Sequence, residues 1–139
     1  MINYSLARES GRRFRLILRK SMITFIPLNP WRKRSRGFNQ AELLAVKLSK
    51  CQDVKCVKLL KRVRNTRKQV GLKRAERLNN LKEAFALNEK TAKQLTAKQK
   101  SKVIIVDDVM TTGATLEECA KVLKKAGIKE VYGLVVARG

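Results

Sequence analysis

The sequence predicts a single α/β domain over residues 1–139, with a central, mostly parallel sheet flanked by helices. Three observations carry this. Val103 to Val106 is an unbroken β-branched run, the pattern of a parallel strand covered on both faces. A helical pattern and a second apolar run, Val131 to Ala137, follow it, in the order and spacing of a βαβ unit with a right-handed crossover. The chain has 139 residues, 44% of them hydrophobic, which suits one domain with a real core.

The elements read in order from the N-terminus. Residues 5–20 read as a helix, with Ser5 as N-cap and Leu6, Phe14, Leu16, Ile17 and Leu18 as apolar positions among arginines. Such a helix suits packing on a core, with an amphipathic membrane-surface helix as the alternative. Residues 22–28 are a short buried strand, ended by Pro27 and Pro30. The loop from Asn29 to Gln40 is basic and contains Gly37. Ala41 to Leu48 reads as a short helix, and the alternation over 54–60 as an edge strand. Lys61 to Leu72 is polar, basic and without period. Residues 73–83 are helical in composition, with Leu78 and Leu81 three apart. Ala84 to Leu87 reads as a short strand, followed by a polar connection through Lys100. Asp107 to Thr115 reads as a polar turn. Leu116 to Ala126 is a helix with Leu116, Cys119, Ala120 and Leu123 on one face, and Gly127 is its stop.

The net charge of +22 attracts polyanions. Residues 1–102 hold 28 Lys and Arg against 6 Asp and Glu, whereas residues 103–139 hold 5 of each. The whole excess therefore precedes residue 103. Cys51, Cys56 and Cys119 are free thiols of a reducing cytoplasm in this reading, because Cys51 and Cys56 have no second pair to complete a zinc site. No metal is expected from cysteine. The absence of His excludes His-dependent triads and an imidazole base. No signal peptide is visible, and no apolar run approaches the ~20 residues of a membrane span.

The chemistry concentrates in residues 103–115, VIIVDDVMTTGAT. Asp107 and Asp108 stand where the strand leaves the sheet. Thr111, Thr112, Gly113, Ala114 and Thr115 lead into the helix. Gly113 permits a tight turn, and the helix-start amides with three hydroxyls form an anion cradle. Carboxylates accept hydrogen bonds from sugar hydroxyls. The two halves together predict a ligand such as ribose 5-phosphate. No Gly-Lys-Ser/Thr follows, so this is not a Walker loop.

This segment resembles the 5-phosphoribosyl 1-pyrophosphate (PRPP) signature of type I phosphoribosyltransferases. More narrowly, the chain is similar to the competence protein F (ComF) family. RGFNQAELLA from Arg36, RVRNTRKQVGL from Arg62 and RLNNLKEAF from Arg77 resemble three further family blocks in register. The resemblance runs from about Leu6 to the end. It implies a type I phosphoribosyltransferase-like fold and Mg²⁺ bound with PRPP. It gives Asp107 and Asp108 to the ribose hydroxyls as the catalytic pair, and Thr111 to Thr115 to the 5-phosphate. It brings the loop around Asn29 near the pyrophosphate with Arg36, and makes Arg64, Thr66 and Gln69 part of a flap. The N-terminal zinc ribbon of many family members is absent here, so the domain is N-terminally short and no zinc is expected.

Three functions are compatible with these residues. The favoured one is a ComF-like protein in DNA uptake or nucleic-acid handling. Single-stranded DNA would track Arg32, Arg34, Arg36, Arg62, Arg64 and Arg67, with Trp31 and Phe38 stacking on bases. Competence or recombination proteins would then be partners. The alternatives are an active phosphoribosyltransferase and a non-catalytic PRPP sensor.

Overall fold

The computed structural model describes residues 3–6, 12–28, 34–35, 37–64, 71, 73–110 and 112–138. In chain order the elements are β1 (Asn3–Leu6), α1 (Arg12–Leu18), β2 (Met22–Phe25), α2 (Gln40–Gln52), β3 (Leu60–Arg62), α3 (Arg74–Leu81), β4 (Phe85–Leu87) and α4 (Glu89–Ala92). A 3₁₀ turn (Gln99–Ser101), β5 (Lys102–Met110), α5 (Ala114–Lys125) and β6 (Glu130–Arg138) complete them. The main sheet has the order β1–β6–β5–β2, and every pairing in it is parallel. β3 and β4 form a separate antiparallel pair.

The β-branched run of β5 sits at the centre. Val103 and Ile105 turn to one face, with Leu116, Cys119, Ala120 and Leu123 of α5 and with Leu81 and Phe85. Ile104 and Val106 turn to the other, with Leu18 of α1 and Ala41 and Ala45 of α2. This alternation is the two-residue period of a strand covered by helices on both sides. Each of the four β5 side chains is at most 1% exposed. Burying a side chain of this kind stabilises the fold by roughly 1.5–3 kcal/mol.

The N-terminal helix over 5–20 is corrected. Residues 3–6 are a strand, in parallel register with Tyr132 to Val135 of β6, and helix begins at Arg12. Backbone pairing to a strand more than 120 residues away overrides the local helical preference. The 54–60 edge strand shrinks to one parallel bridge, Ile23 to Cys56, beside β2. Leu59 and Leu60 are fully buried instead, and the Leu59 amide donates to the buried Thr24 hydroxyl at 3.2 Å. The expected turn from Asp107 is also shorter, because β5 continues to Met110 in register with Arg138.

Candidate functional site

Two neighbouring strands send their chains to opposite faces of the sheet. β2 leads to α2 on one side, and β5 leads to α5 on the other. A crevice opens between the carboxyl ends of such strands, and ligands of open α/β sheets bind there. The Ile26 amide donates to the Val106 carbonyl at 3.1 Å, so pairing continues up to the mouth of this crevice.

A small open cleft lies at this end, lined by Asp107, Val109, Met110 and the stretch from Thr112 to Leu116. Gly113 caps α5 with φ 80°, a left-handed conformation that suits glycine. The turn is tightened by the Thr112 hydroxyl, which accepts from the Ala114 amide at 3.4 Å. The helix-start amides and the positive end of its dipole thus face the cleft beside Thr112 and Thr115.

Asp107 and Asp108 ride on the last turns of a strand anchored in the core. The Asp107 carboxylate accepts from the Asp108 amide at 2.9 Å, and the Asp108 carboxylate from the Val109 amide at 2.9 Å. These bonds hold the carboxyl groups against the backbone. Burial, followed by the hydrogen bond and charge of Asp108, pushes Asp107 up to about 8. Beneath it, the buried Cys119 thiol is also raised, by burial first and by the Asp107 charge second. The cleft floor therefore resists negative charge, while its helix-start rim attracts it.

The structure brings Asp107, Thr112, Gly113, Ala114 and Thr115 together around one cleft, with Asp108 next to Asp107 on β5. Arg62 is half-buried, with its guanidinium 5.2 Å from the centre of the Phe85 ring. Arg64 is exposed and donates to the Asn79 carbonyl at 3.3 Å, linking two of the blocks quoted above. Arg34 and Phe38 are exposed. Asn29, Trp31, Arg32, Arg36, Thr66, Arg67, Gln69 and Thr111 lie outside the described residues.

Sequence reasoning missed Asn39. It is 6% exposed, its amide donates to the Ile26 carbonyl at 3.0 Å, and its side-chain oxygen accepts from the Ala41 amide at 3.1 Å. One residue thus caps α2 and ties it to the end of β2. Its signal was an Asn directly before a helical pattern. Val109, Met110 and Leu116 also line the cleft, and nothing polar in them marked this. Among the described residues, no helix is long and apolar enough to cross a membrane.

Comparison with known proteins agrees with this architecture. The Phosphoribosyl transferase domain family matches residues 34–139. Competence protein F of Haemophilus influenzae is 38% identical over 136 residues, covering 97% of this chain and 57% of the relative. Competence protein ComFC of Streptococcus pneumoniae is 34% identical over 113 residues, covering 81% of this chain and 46% of the relative. The DNA utilization protein YhgH of Escherichia coli is 39% identical over 115 residues, covering 78% and 45%. The chain thus spans about half the length of the curated relatives it matches.

Proposed function

We propose a function from one premise: the chain belongs to the phosphoribosyl transferase domain family. In this proposal the cleft takes the ribose 5-phosphate end of PRPP or of a nucleotide, and the protein acts in DNA uptake or DNA handling by binding single-stranded DNA. The observation that carries the first half is the cleft at the switch point, with the Asp107 carboxyl on its floor and a helix-start rim. The names of the similar competence and DNA utilization proteins, with the charge of +22, support the second half.

Each part of the ligand meets complementary chemistry. The segment Thr111 to Thr115 would hold the 5-phosphate through amides and hydroxyls. Asp107 and Asp108 would accept from the ribose hydroxyls. With Asp107 pushed up to about 8, that carboxyl is largely protonated in an empty cleft at pH 7. Hydroxyls that donate to it favour its carboxylate form, so binding would release a proton.

Mg²⁺ fits this donor set as a companion of the ligand. Among the described residues no group of three or more His, Cys, Asp and Glu forms a cage, and Mg²⁺ commonly uses one or two carboxylates plus substrate phosphates. Asp107 and Asp108 are the carboxylates that would hold it, and it would neutralise charge on a pyrophosphate.

A second reading is an active phosphoribosyltransferase. Carboxylates beside the phosphate cradle favour it, since they would steady positive charge developing on the ribose ring.

The test is binding of labelled single-stranded DNA at two salt concentrations, with and without Mg–PRPP, for wild type and Asp107→Asn. The expected result is steeply salt-dependent binding that PRPP alters in wild type alone. Salt-independent binding, or none at low salt, refutes the DNA role. Mg-dependent PRPP turnover with a nucleobase, abolished by Asp107→Asn, would establish the transferase.

A further inference from the structure

We infer that the end of the sheet opposite the cleft is a track for the phosphate backbone of nucleic acid. Four chain segments meet there: residues 19–21, 50–55, 98–102 and 124–130. The strand registers bring them together. Lys102 opens β5 opposite Glu130, Met22 pairs with Val103, and Ile23 bridges to Cys56. The Ile23 amide donates to the Lys55 carbonyl at 2.9 Å, and the Lys129 amide to the Lys100 carbonyl at 3.1 Å.

These segments carry ten Lys and Arg against two acidic residues, Asp53 and Glu130. Glu130 accepts a hydrogen bond from the Tyr132 hydroxyl at 3.0 Å. A simpler explanation is that the cations answer helix dipoles, since α1, α2 and α5 all end here. Each helix end amounts to roughly half a negative charge, so three ask for about 1.5. The net of eight positive charges in these segments exceeds that several-fold.

The arrangement suits a linear polyanion. Lys129, Lys100, Lys20 and Lys55 belong to four adjacent strand positions. With strands about 4.8 Å apart they form a row of about 14 Å. A nucleic-acid strand carries a charge every ~3.4 Å along a helix, so the row faces about four phosphates. Among the described residues, the exposed large apolar side chains all lie outside these segments. A membrane-surface site would place some beside the lysines. With no aromatic residue in these four segments to stack on bases, contact here is with backbone, and single strands and duplexes are bound alike.

Composition along the chain conceals this surface. Residues 103–139 are neutral overall, yet Lys124, Lys125 and Lys129 lie at this pole, whereas Asp107, Asp108, Glu117 and Glu118 lie toward the cleft end.

This inference rests on the nucleic-acid half of the proposed function and moves the contact away from the arginines expected from the sequence. The experiment compares three variants with wild type: Lys55→Gln/Lys100→Gln/Lys129→Gln at the pole, Lys47→Gln/Lys61→Gln/Lys73→Gln elsewhere, and Arg34→Gln/Arg64→Gln. Binding of a labelled single strand and of a duplex is followed across a salt series, with melting temperature as the check on folding. The pole variant is expected to lose at least tenfold in affinity at low salt. Its log–log salt slope should fall by about 2–3, with the second lysine variant near wild type and the arginine variant losing less than the pole variant. If the arginine variant loses binding while the pole variant keeps it, the pole is wrong and the DNA role stands. Equal losses in the two lysine variants overturn the pole as well, because the charge then acts diffusely. A wild type that binds anionic vesicles but no nucleic acid overturns both.

Discussion

Replacing Asp107 by Asn should remove a loss of stability that alkali causes in the wild type. A carboxyl that titrates at 3.8 in an open chain and at about 8 in the folded one binds its proton more tightly when folded. Its stabilising contribution is fully present below about pH 4 and is lost as pH rises through 8. At 1.36 kcal/mol per pH unit the full loss has a ceiling of ~5.7 kcal/mol. Asp107 lines an open cleft, so water screens the ionised form, and about 2 kcal/mol is the expected size. The assay is urea denaturation of wild type and Asp107→Asn from pH 5 to 9 at constant ionic strength, read as the difference between the two curves. Other titrating groups, such as Cys56 and Tyr132, are common to both proteins and largely cancel. Wild type should lose ground against the variant from pH 5 to 8 and level off above it. A difference that stays flat with pH would refute the claim that burial and Asp108 hold this proton.

Three further outcomes follow from the geometry. Asn39→Ala removes a cap and leaves the Ile26 carbonyl without its donor, and should cost about 2 kcal/mol in thermal unfolding; Asn39→Asp, which keeps the cap alone, should fall between. Gly113→Ala forces a side chain into φ 80°, with a loss of about 1–2 kcal/mol and weaker ribose 5-phosphate binding by calorimetry; unchanged affinity would show that the helix start does not hold the phosphate. Leu123→Ala, at a fully buried position, should lower stability by about 2–5 kcal/mol in a denaturant titration, without changing the salt dependence of DNA binding.

The half of the fold nearest the cleft was legible because local and tertiary preferences coincide there. Val103 to Val106 can satisfy its side chains only between two layers, and Leu116, Cys119, Ala120 and Leu123 form one helical stripe. Residues 5–6 were misread as helix because their partner is β6, and parallel pairing leaves no local mark. Asp107 and Asp108 were assigned to a turn because the apolar run ends before them; pairing with β6 carries the strand past the core into polar sequence. The basic pole was invisible for a third reason. Its lysines come from four distant segments, and only the sheet's register makes them neighbours.

β5 also acts as a proofreading device. Its first half is read by the core and its second half lines the cleft, with no joint between them. A slip of one residue against β2 and β6 would send Val103 and Ile105 to the wrong face and exchange Asp107 with Asp108 in the same stroke. Misplaced carboxylates and a mispacked core are therefore one error, and a chain with the wrong site is eliminated at folding, before any ligand tests it.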